Sequence, residues 1–181
     1  MEETTMVIRK HFVGLAFLCI LGIGIWVLAS VPQATAETLK FKSFNHVTKQ
    51  ETVPIADVEG HIMRFQVREG VAVFENGELA WHKSVYYYNY VKGAGPGEAY
   101  ATYTFLDGST ITGHGIGVIQ ATSAGAPTAA KWTSELTHGT GRFQGIKGTV
   151  KSSTKLLPPE KDEPTGKAFS EGTMVYTLPS K

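Results

Sequence analysis

The chain contains 181 residues, and its 17 Lys and Arg residues nearly balance its 16 Asp and Glu residues, which gives a formal net charge of +1. A nearly neutral chain argues against nucleic acid as the main partner. The only cysteine is Cys19, so a disulfide framework is excluded.

The N-terminal residues have the layout of a secretory signal peptide. Arg9 and Lys10 precede an uncharged apolar run, and Ala34-Thr35-Ala36 supplies a small-x-small cleavage site. We therefore expect residues 1–36 to be a signal peptide and the protein to be secreted or periplasmic. The alternative is an uncleaved N-terminal anchor. The apolar run reaches the lower limit of the length that a membrane-spanning helix needs.

Cleavage after Ala36 would leave residues 37–181 as one domain without cysteine. Its 145 residues are enough for one hydrophobic core. The first segment, 37–60, alternates briefly and is then broken by Pro54 and Gly60. This pattern predicts an edge strand followed by a loop.

The segment from His61 to Glu75 is the clearest predicted strand. Its apolar residues share one face, and Arg64, Gln66 and Arg68 share the other. These three polar side chains could bind a carboxylate, but their pattern favours a solvated outer face.

Two turn signals join predicted strands into hairpins. Asn76-Gly77 and Asp107-Gly108 each lie between alternating apolar runs, which is typical of a two-residue turn with positive φ at both positions. We expect strands at about 78–92, 98–106 and 109–121 beside these turns.

The predicted strand 78–92 carries a stripe of tyrosines. Tyr86, Tyr88 and Tyr90 share one face. A lumen lined by that face would offer an amphipathic wall with phenolic donors, fit for an apolar ligand with a few oxygens. Packing in the core or at a subunit interface is the alternative that the pattern favours.

The C-terminal part predicts three more strands, at 131–138, 142–156 and 171–178. Seven or eight strands without a convincing helix indicate an antiparallel barrel or sandwich. Closure into a barrel would remove the exposed edge strands. The glycines of Gly139–Gly145 fit a turn and strand curvature, and Arg142 is expected to pair across the barrel rim rather than bind phosphate.

The histidines of the domain lack the spacing of metal ligands, so neither a metal site nor a cofactor is predicted. His114 is the most interesting of them because Gly113 and Gly115 flank it. Two glycines would let a ligand or another backbone approach closely, or would relieve crowding at a bend of the barrel.

Four segments occur in a familiar order: Arg68–Glu78, Tyr103–Thr110, Gly139–Thr149 and Gly172–Leu178. Together they resemble the bacterial allene oxide cyclase barrel-like family, which is related to plant dirigent proteins. The resemblance covers about residues 45–178 and implies a calycin-like, eight-stranded antiparallel β-barrel with a central apolar cavity. It also implies that the cavity holds a guest in one conformer, and that oligomers form, since plant relatives are commonly trimeric.

We therefore expect an all-β barrel that binds a small apolar or amphipathic molecule in its lumen. A cyclase or isomerase that confines an unsaturated lipid or phenolic intermediate is one alternative, and a structural envelope protein that oligomerises is another. The catalytic residues are unknown, and the expected partners are the small molecule and further copies of the chain in a dimer or trimer. The residues predicted to line the lumen are Tyr86, Tyr88, Tyr90, Tyr103, His114 and Trp132.

Overall fold

The structure is a computed structural model, and it describes residues 35–124, 126–157, 160–161 and 166–180. Nearly all of the predicted signal peptide lies outside these residues. In the described part of the chain, no helix is long and apolar enough to cross a membrane.

Eight antiparallel strands follow one another in chain order and close into a barrel. Each strand pairs with its neighbours in sequence, and the last strand returns to pair with the first. The prediction of an eight-stranded antiparallel barrel is therefore confirmed. The strands are β1 (Glu37–Pro54), β2 (His61–Phe74), β3 (Leu79–Val91), β4 (Gly95–Phe105), β5 (Thr110–Ala121), β6 (Pro127–Gly139), β7 (Lys147–Leu156) and β8 (Lys167–Thr177).

Strand β1 differs from its prediction as a short edge strand. It has 18 residues and is paired with β2 on one side and with β8 on the other. Pro54 is its last residue and does not interrupt it. A register shift between Val47 and Lys49 marks a bulge, which bends this long strand around the barrel.

The two predicted hairpin turns are present, but their backbone geometry differs from the prediction. Gly77 and Gly108 have φ of 85° and 81°, whereas neither Asn76 nor Asp107 has positive φ. Each turn has a hydrogen bond from the glycine N–H to the carbonyl three residues earlier. This is a type I turn followed by a left-handed glycine, the usual three-residue hairpin loop. Asp107 also accepts a hydrogen bond from the Ser109 N–H, which stabilises its turn.

Two apolar clusters fill most of the barrel interior. The lower cluster lies at the end where β1 begins, and its largest members include Phe41, Phe74 and Phe105. The upper cluster lies at the other end and is built around Tyr88, Tyr90 and Trp132. We use these two names below.

A short 3-10 helix, Gly141–Phe143, closes the lower end of the barrel. Its buried Phe143 packs against Phe105, with ring centroids 4.9 Å apart. Strand β7 therefore begins later than the predicted residue 142. Arg142 Nη1 lies 2.6 Å from Glu78 Oε1, which confirms the expected pairing across the rim.

Candidate functional site

A belt of buried polar side chains lies in the lumen between the lower and upper clusters. The belt exists because polar residues occupy the inward positions at the middle of five strands, where alternation aims every second side chain at the barrel axis. We call it the polar belt. Its members are Ser43, Asn45, Gln66, Arg68, His82, Ser84, Thr154 and Ser170.

The polar belt borders a small cavity of about 40 Å³. His82, Ser43 and Ser152 supply polar lining, and Tyr86, Tyr103 and Trp132 supply aromatic lining. This volume holds a few water molecules, since one water requires roughly 10–15 Å³ on the same measure. A larger guest must displace a lining side chain, and Tyr86 is a large lining side chain that is only partly buried. The structure therefore has a small cavity with polar and aromatic lining in place of the central apolar cavity that the resemblance implied.

His82 is the main polar group of the cavity. Its ring lies parallel to the ring of Tyr103, with centroids 4.6 Å apart. Neither of its ring nitrogens has a hydrogen-bond partner among the described residues. Burial lowers the pKa of His82 to about 4, so the imidazole is neutral at pH 7. A neutral imidazole offers one donor and one acceptor to a guest.

Three more polar atoms of the belt lack hydrogen-bond partners within the described residues. They are Ser43 Oγ, Asn45 Oδ1 and Ser84 Oγ. Leaving a buried polar atom unpaired costs roughly 1–3 kcal/mol, so atoms of this kind are usually satisfied by a water molecule, an ion or a ligand. The far side of the belt is satisfied internally, because the hydroxyls of Thr154 and Ser170 are 2.9 Å apart and hydrogen-bonded.

The two faces of β2 are reversed relative to the prediction. Gln66 and Arg68 are buried in the lumen, while Met63, Val71 and Val73 are exposed on the outer surface. The expectation of a solvated outer face for the polar residues was therefore wrong. The sequence pattern favours the apolar face of β2 as the face toward the core, but in this barrel the polar face of β2 points into the lumen.

The predicted tyrosine stripe faces the lumen. Tyr86 stacks on Tyr88 with centroids 5.4 Å apart, and Tyr88 stacks on Tyr90 at 4.9 Å. Burial raises the pKa of Tyr90 to about 12 and that of Tyr88 well above its usual range, so both stay neutral hydrogen-bonding groups.

Tyr103 and Trp132 also point inward. Burial raises the pKa of Tyr103 far above its ordinary value. Trp132 fits against β5 because Gly117 faces it, where an added Cβ would lie 2.4 Å from the indole Cε3. The binding role predicted for these aromatic residues stays a prediction.

His114 does not point into the lumen. Its neighbours Gly113 and Gly115 occupy the inward positions of β5, so alternation turns the imidazole outward. On the outer surface, His114 Nε2 lies 2.6 Å from Glu98 Oε1, and the ring stacks on Tyr100. The structure therefore removes His114 from the predicted lumen lining.

Sequence reasoning missed most of the polar belt. His82 and Ser84 share the inward face of the tyrosine stripe, so alternation carried a signal for both. Ser43 and Asn45 lay in a segment interpreted as a short edge strand and loop, and nothing in the sequence paired them with β8. Among the described residues, no group of three or more His, Cys, Asp or Glu could hold a metal ion.

The fold and the site define a closed antiparallel barrel with a partly polar lumen. Its solved structural neighbours include two pterocarpan synthase dirigent proteins. PsPTS1 is 16% identical, with a TM-score of 0.50 over 82% of this chain and 99% of its own. GePTS1 is 13% identical, with a TM-score of 0.52 over 84% of this chain and 94% of its own.

These structures show that the chain shares the barrel fold of dirigent proteins. At this level of identity the likeness establishes the fold alone. Comparisons with protein families and with curated protein sequences found no match.

Proposed function

We propose that the barrel binds a small amphipathic molecule whose polar group enters the cavity beside His82. The observation that carries the proposal is the pair of unpartnered nitrogens on a buried, neutral imidazole that lines the cavity. A hydroxyl group of a guest could donate to the acceptor nitrogen or accept from the N–H, and a carbonyl oxygen could accept from the N–H, since buried polar groups are nearly always hydrogen-bonded.

The apolar part of the guest would contact the upper cluster. Tyr86 and Trp132 both line the cavity, and their rings pack at a centroid distance of 5.2 Å. Tyr86 is partly exposed, so its rotation would open a path from solvent into the 40 Å³ cavity. The sequence-based expectation of a small-molecule partner is thus refined to a guest with one polar end.

Native mass spectrometry of the protein purified from its own host tests this proposal. We expect a bound small molecule that organic extraction releases. Ala101→Leu adds a side chain to the cavity lining and should abolish the extra mass. Thr104→Leu, at an exposed outward position on the same strand, is the matched control and should retain it. A native protein that carries only water would contradict the proposal.

A second function is catalysis by confinement, in which the barrel acts as a cyclase or isomerase on an unsaturated lipid or phenolic intermediate. Two observations favour it: the solved neighbours include pterocarpan synthase dirigent proteins, and His82 supplies a neutral donor and acceptor inside the lumen. The allene oxide cyclase reaction is one candidate within this class. Holding a flexible molecule in one reactive conformer can itself lower a barrier by several kcal/mol.

Turnover assays with unsaturated lipid epoxides and phenolic radicals test the catalytic proposal. His82→Phe keeps the stacking on Tyr103 but removes the donor and the acceptor, so we expect turnover to fall with the barrel intact. Absence of turnover with every substrate of both classes would leave binding as the function. Secretion or a periplasmic location stays part of the proposal, because it depends on residues 1–36.

A further inference from the structure

We propose that the guest of the lumen is an amphipathic carboxylic acid, bound as its anion by Arg68. This inference rests on the proposed binding function and adds the chemical class of the ligand. It comes from a buried guanidinium with which no carboxylate of the described residues pairs.

Arg68 is only 7% exposed, although an arginine is almost never fully buried unless it is paired. Its Nε donates a hydrogen bond to Gln66 Oε1 at 2.9 Å. Gln66 in turn donates from Nε2 to Gln50 Oε1 at 2.7 Å. This chain of amides fixes the guanidinium but supplies no negative charge.

No carboxylate of the described residues forms a salt bridge with Arg68. The nearby acidic residues pair elsewhere on the outside of the barrel: Glu69 of β2 with Lys83, Glu98 of β4 with His114, and Glu51 of β1 with Lys49. A buried cation without a partner is strongly unfavourable, and the usual remedy is an anion. Arg68 is therefore a preformed positive charge in the lumen that no carboxylate of the described residues neutralises.

The surroundings of Arg68 fit a carboxylate with an apolar body. Ser84, whose hydroxyl is unpartnered, is directly opposite Arg68 in the β2–β3 register. The guanidinium lies over the Tyr86 ring, with its central carbon 5.6 Å from the ring centroid. Arg68 and Ser84 thus place a cation and a hydroxyl beside Tyr86, which lines the cavity and packs against the aromatic upper cluster.

A second cation strengthens the preference for an anion. Arg64 lies on the same inward face of β2, nearer the upper mouth, with its guanidinium carbon 5.5 Å from the centroid of Tyr90. Its Nε donates to Thr52 Oγ1 at 3.2 Å, and no acid of the described residues pairs with it. A guest entering from the upper end would meet Arg64 first and then Arg68.

Calorimetric titration with trans-cinnamate and with its methyl ester, at about pH 7.5, tests the inference. The two probes share the flat apolar body, and only the acid is ionised at this pH. We expect the acid to bind the native protein about tenfold or more tightly than the ester, because a hydrogen-bonded charge pair is worth roughly 1.5–3 kcal/mol.

The variants Arg68→Gln and Arg68→Lys test whether Arg68 causes the preference for the acid over the ester. Arg68→Gln should remove the preference for the acid over the ester, and Arg68→Lys should keep part of it because the charge is retained without the planar fork. Lys151→Gln removes a charge from the outer face and is the matched control, which should behave as the native protein does.

The outcomes separate the two proposals. Equal binding of acid and ester to the native protein overturns the inference about Arg68 and leaves the binding function standing. Failure of both probes to bind, together with a native mass spectrum free of guest, overturns the binding function itself. The comparison of acid with ester uses the native chain, so it remains decisive even where an Arg68 variant does not fold.

Discussion

The imidazole of His82 lies parallel to the phenol ring of Tyr103, with 4.6 Å between centroids and 4° between planes. Stacking on Tyr103 orients the imidazole ring. The two ring nitrogens of His82 have no hydrogen-bond partners among the described residues. A side chain held in this way is oriented but not satisfied, and this combination is characteristic of groups that receive a ligand.

The first prediction concerns the stability of the barrel at acidic pH. Burial lowers the pKa of His82 from 6.5 to about 4, so the unfolded chain takes up the proton before the folded chain does. Stability from this residue is complete above about pH 6.5 and is lost as the pH falls toward 4. The expected loss is on the order of 3 kcal/mol, which urea unfolding at a series of pH values would measure.

Two variants isolate the contribution of His82. His82→Phe keeps an aromatic ring on Tyr103 and removes the titrating group, so the decline between pH 6.5 and 4 should become shallower. His138→Phe at an exposed position is the control and should leave the decline as it is in the native protein. Equal declines in all three proteins would show that His82 is not the group responsible.

The second prediction concerns the close fit of Trp132 against β5. In Gly117→Ala the new Cβ would lie 2.4 Å from the indole, so the ring or the strand must move. We expect a loss of about 1–3 kcal/mol in the free energy of unfolding and a change in tryptophan fluorescence.

Gly113→Ala is the matched control on the same face of the same strand. Its Cβ would lie 3.1 Å from the nearest atom, the carbonyl oxygen of Glu135, so the strain is smaller. A Gly117→Ala variant as stable as Gly113→Ala would mean that the fit around Trp132 is looser than the structure shows.

The third prediction concerns self-association. Ile116 is 69% exposed on the outer surface of β5, and Tyr87 and Val118 are exposed on the same side of the barrel. Exposed apolar patches of this kind commonly mark interaction surfaces, which agrees with the expected dimer or trimer. Light scattering of the purified domain should give a molar mass of two or three protomers. Ile116→Glu should lower the measured mass to that of a monomer.

Ser153→Glu provides the control for charge, since it adds the same carboxylate at an exposed position on β7. It should leave the oligomer unchanged. A native domain that is monomeric at every concentration would exclude the predicted oligomer and with it the structural envelope alternative.

The fourth prediction concerns export. Strand β1 begins at Glu37, the residue that follows the predicted cleavage site, and the Tyr176 hydroxyl donates to Glu37 Oε2 at 2.8 Å. Cleavage after Ala36 would therefore leave every residue of β1 in place. The intact mass of the protein recovered outside the cytoplasm should correspond to residues 37–181.

Ala36→Asp should block this processing, because the peptidase requires a small residue at that position. Glu37→Gln lies beyond the site and should be processed normally. Recovery of the full chain of 181 residues from membranes would favour the uncleaved anchor instead.

The sequence by itself determined the positions of most strands and of the two hairpin turns. Alternation is a local property, so β2 through β5 were located closely, and Asn76-Gly77 and Asp107-Gly108 marked their hairpins correctly. The tyrosine stripe could also be assigned to one face, because residues two apart in a strand share a side. These features depend on neighbours a few positions away in the chain.

Only the tertiary structure decided which face of each strand became the interior. The alternation along β2 is compatible with either Arg68 or Met63 facing the lumen. The prediction that the apolar face points inward was wrong. The register between β2 and β3 placed Arg68 opposite Ser84, and closure of the barrel put Ser43 of β1 and His82 of β3 in the lining of one cavity. Local patterns cannot encode that alignment, because it depends on the register between strands and on the join of β8 to β1.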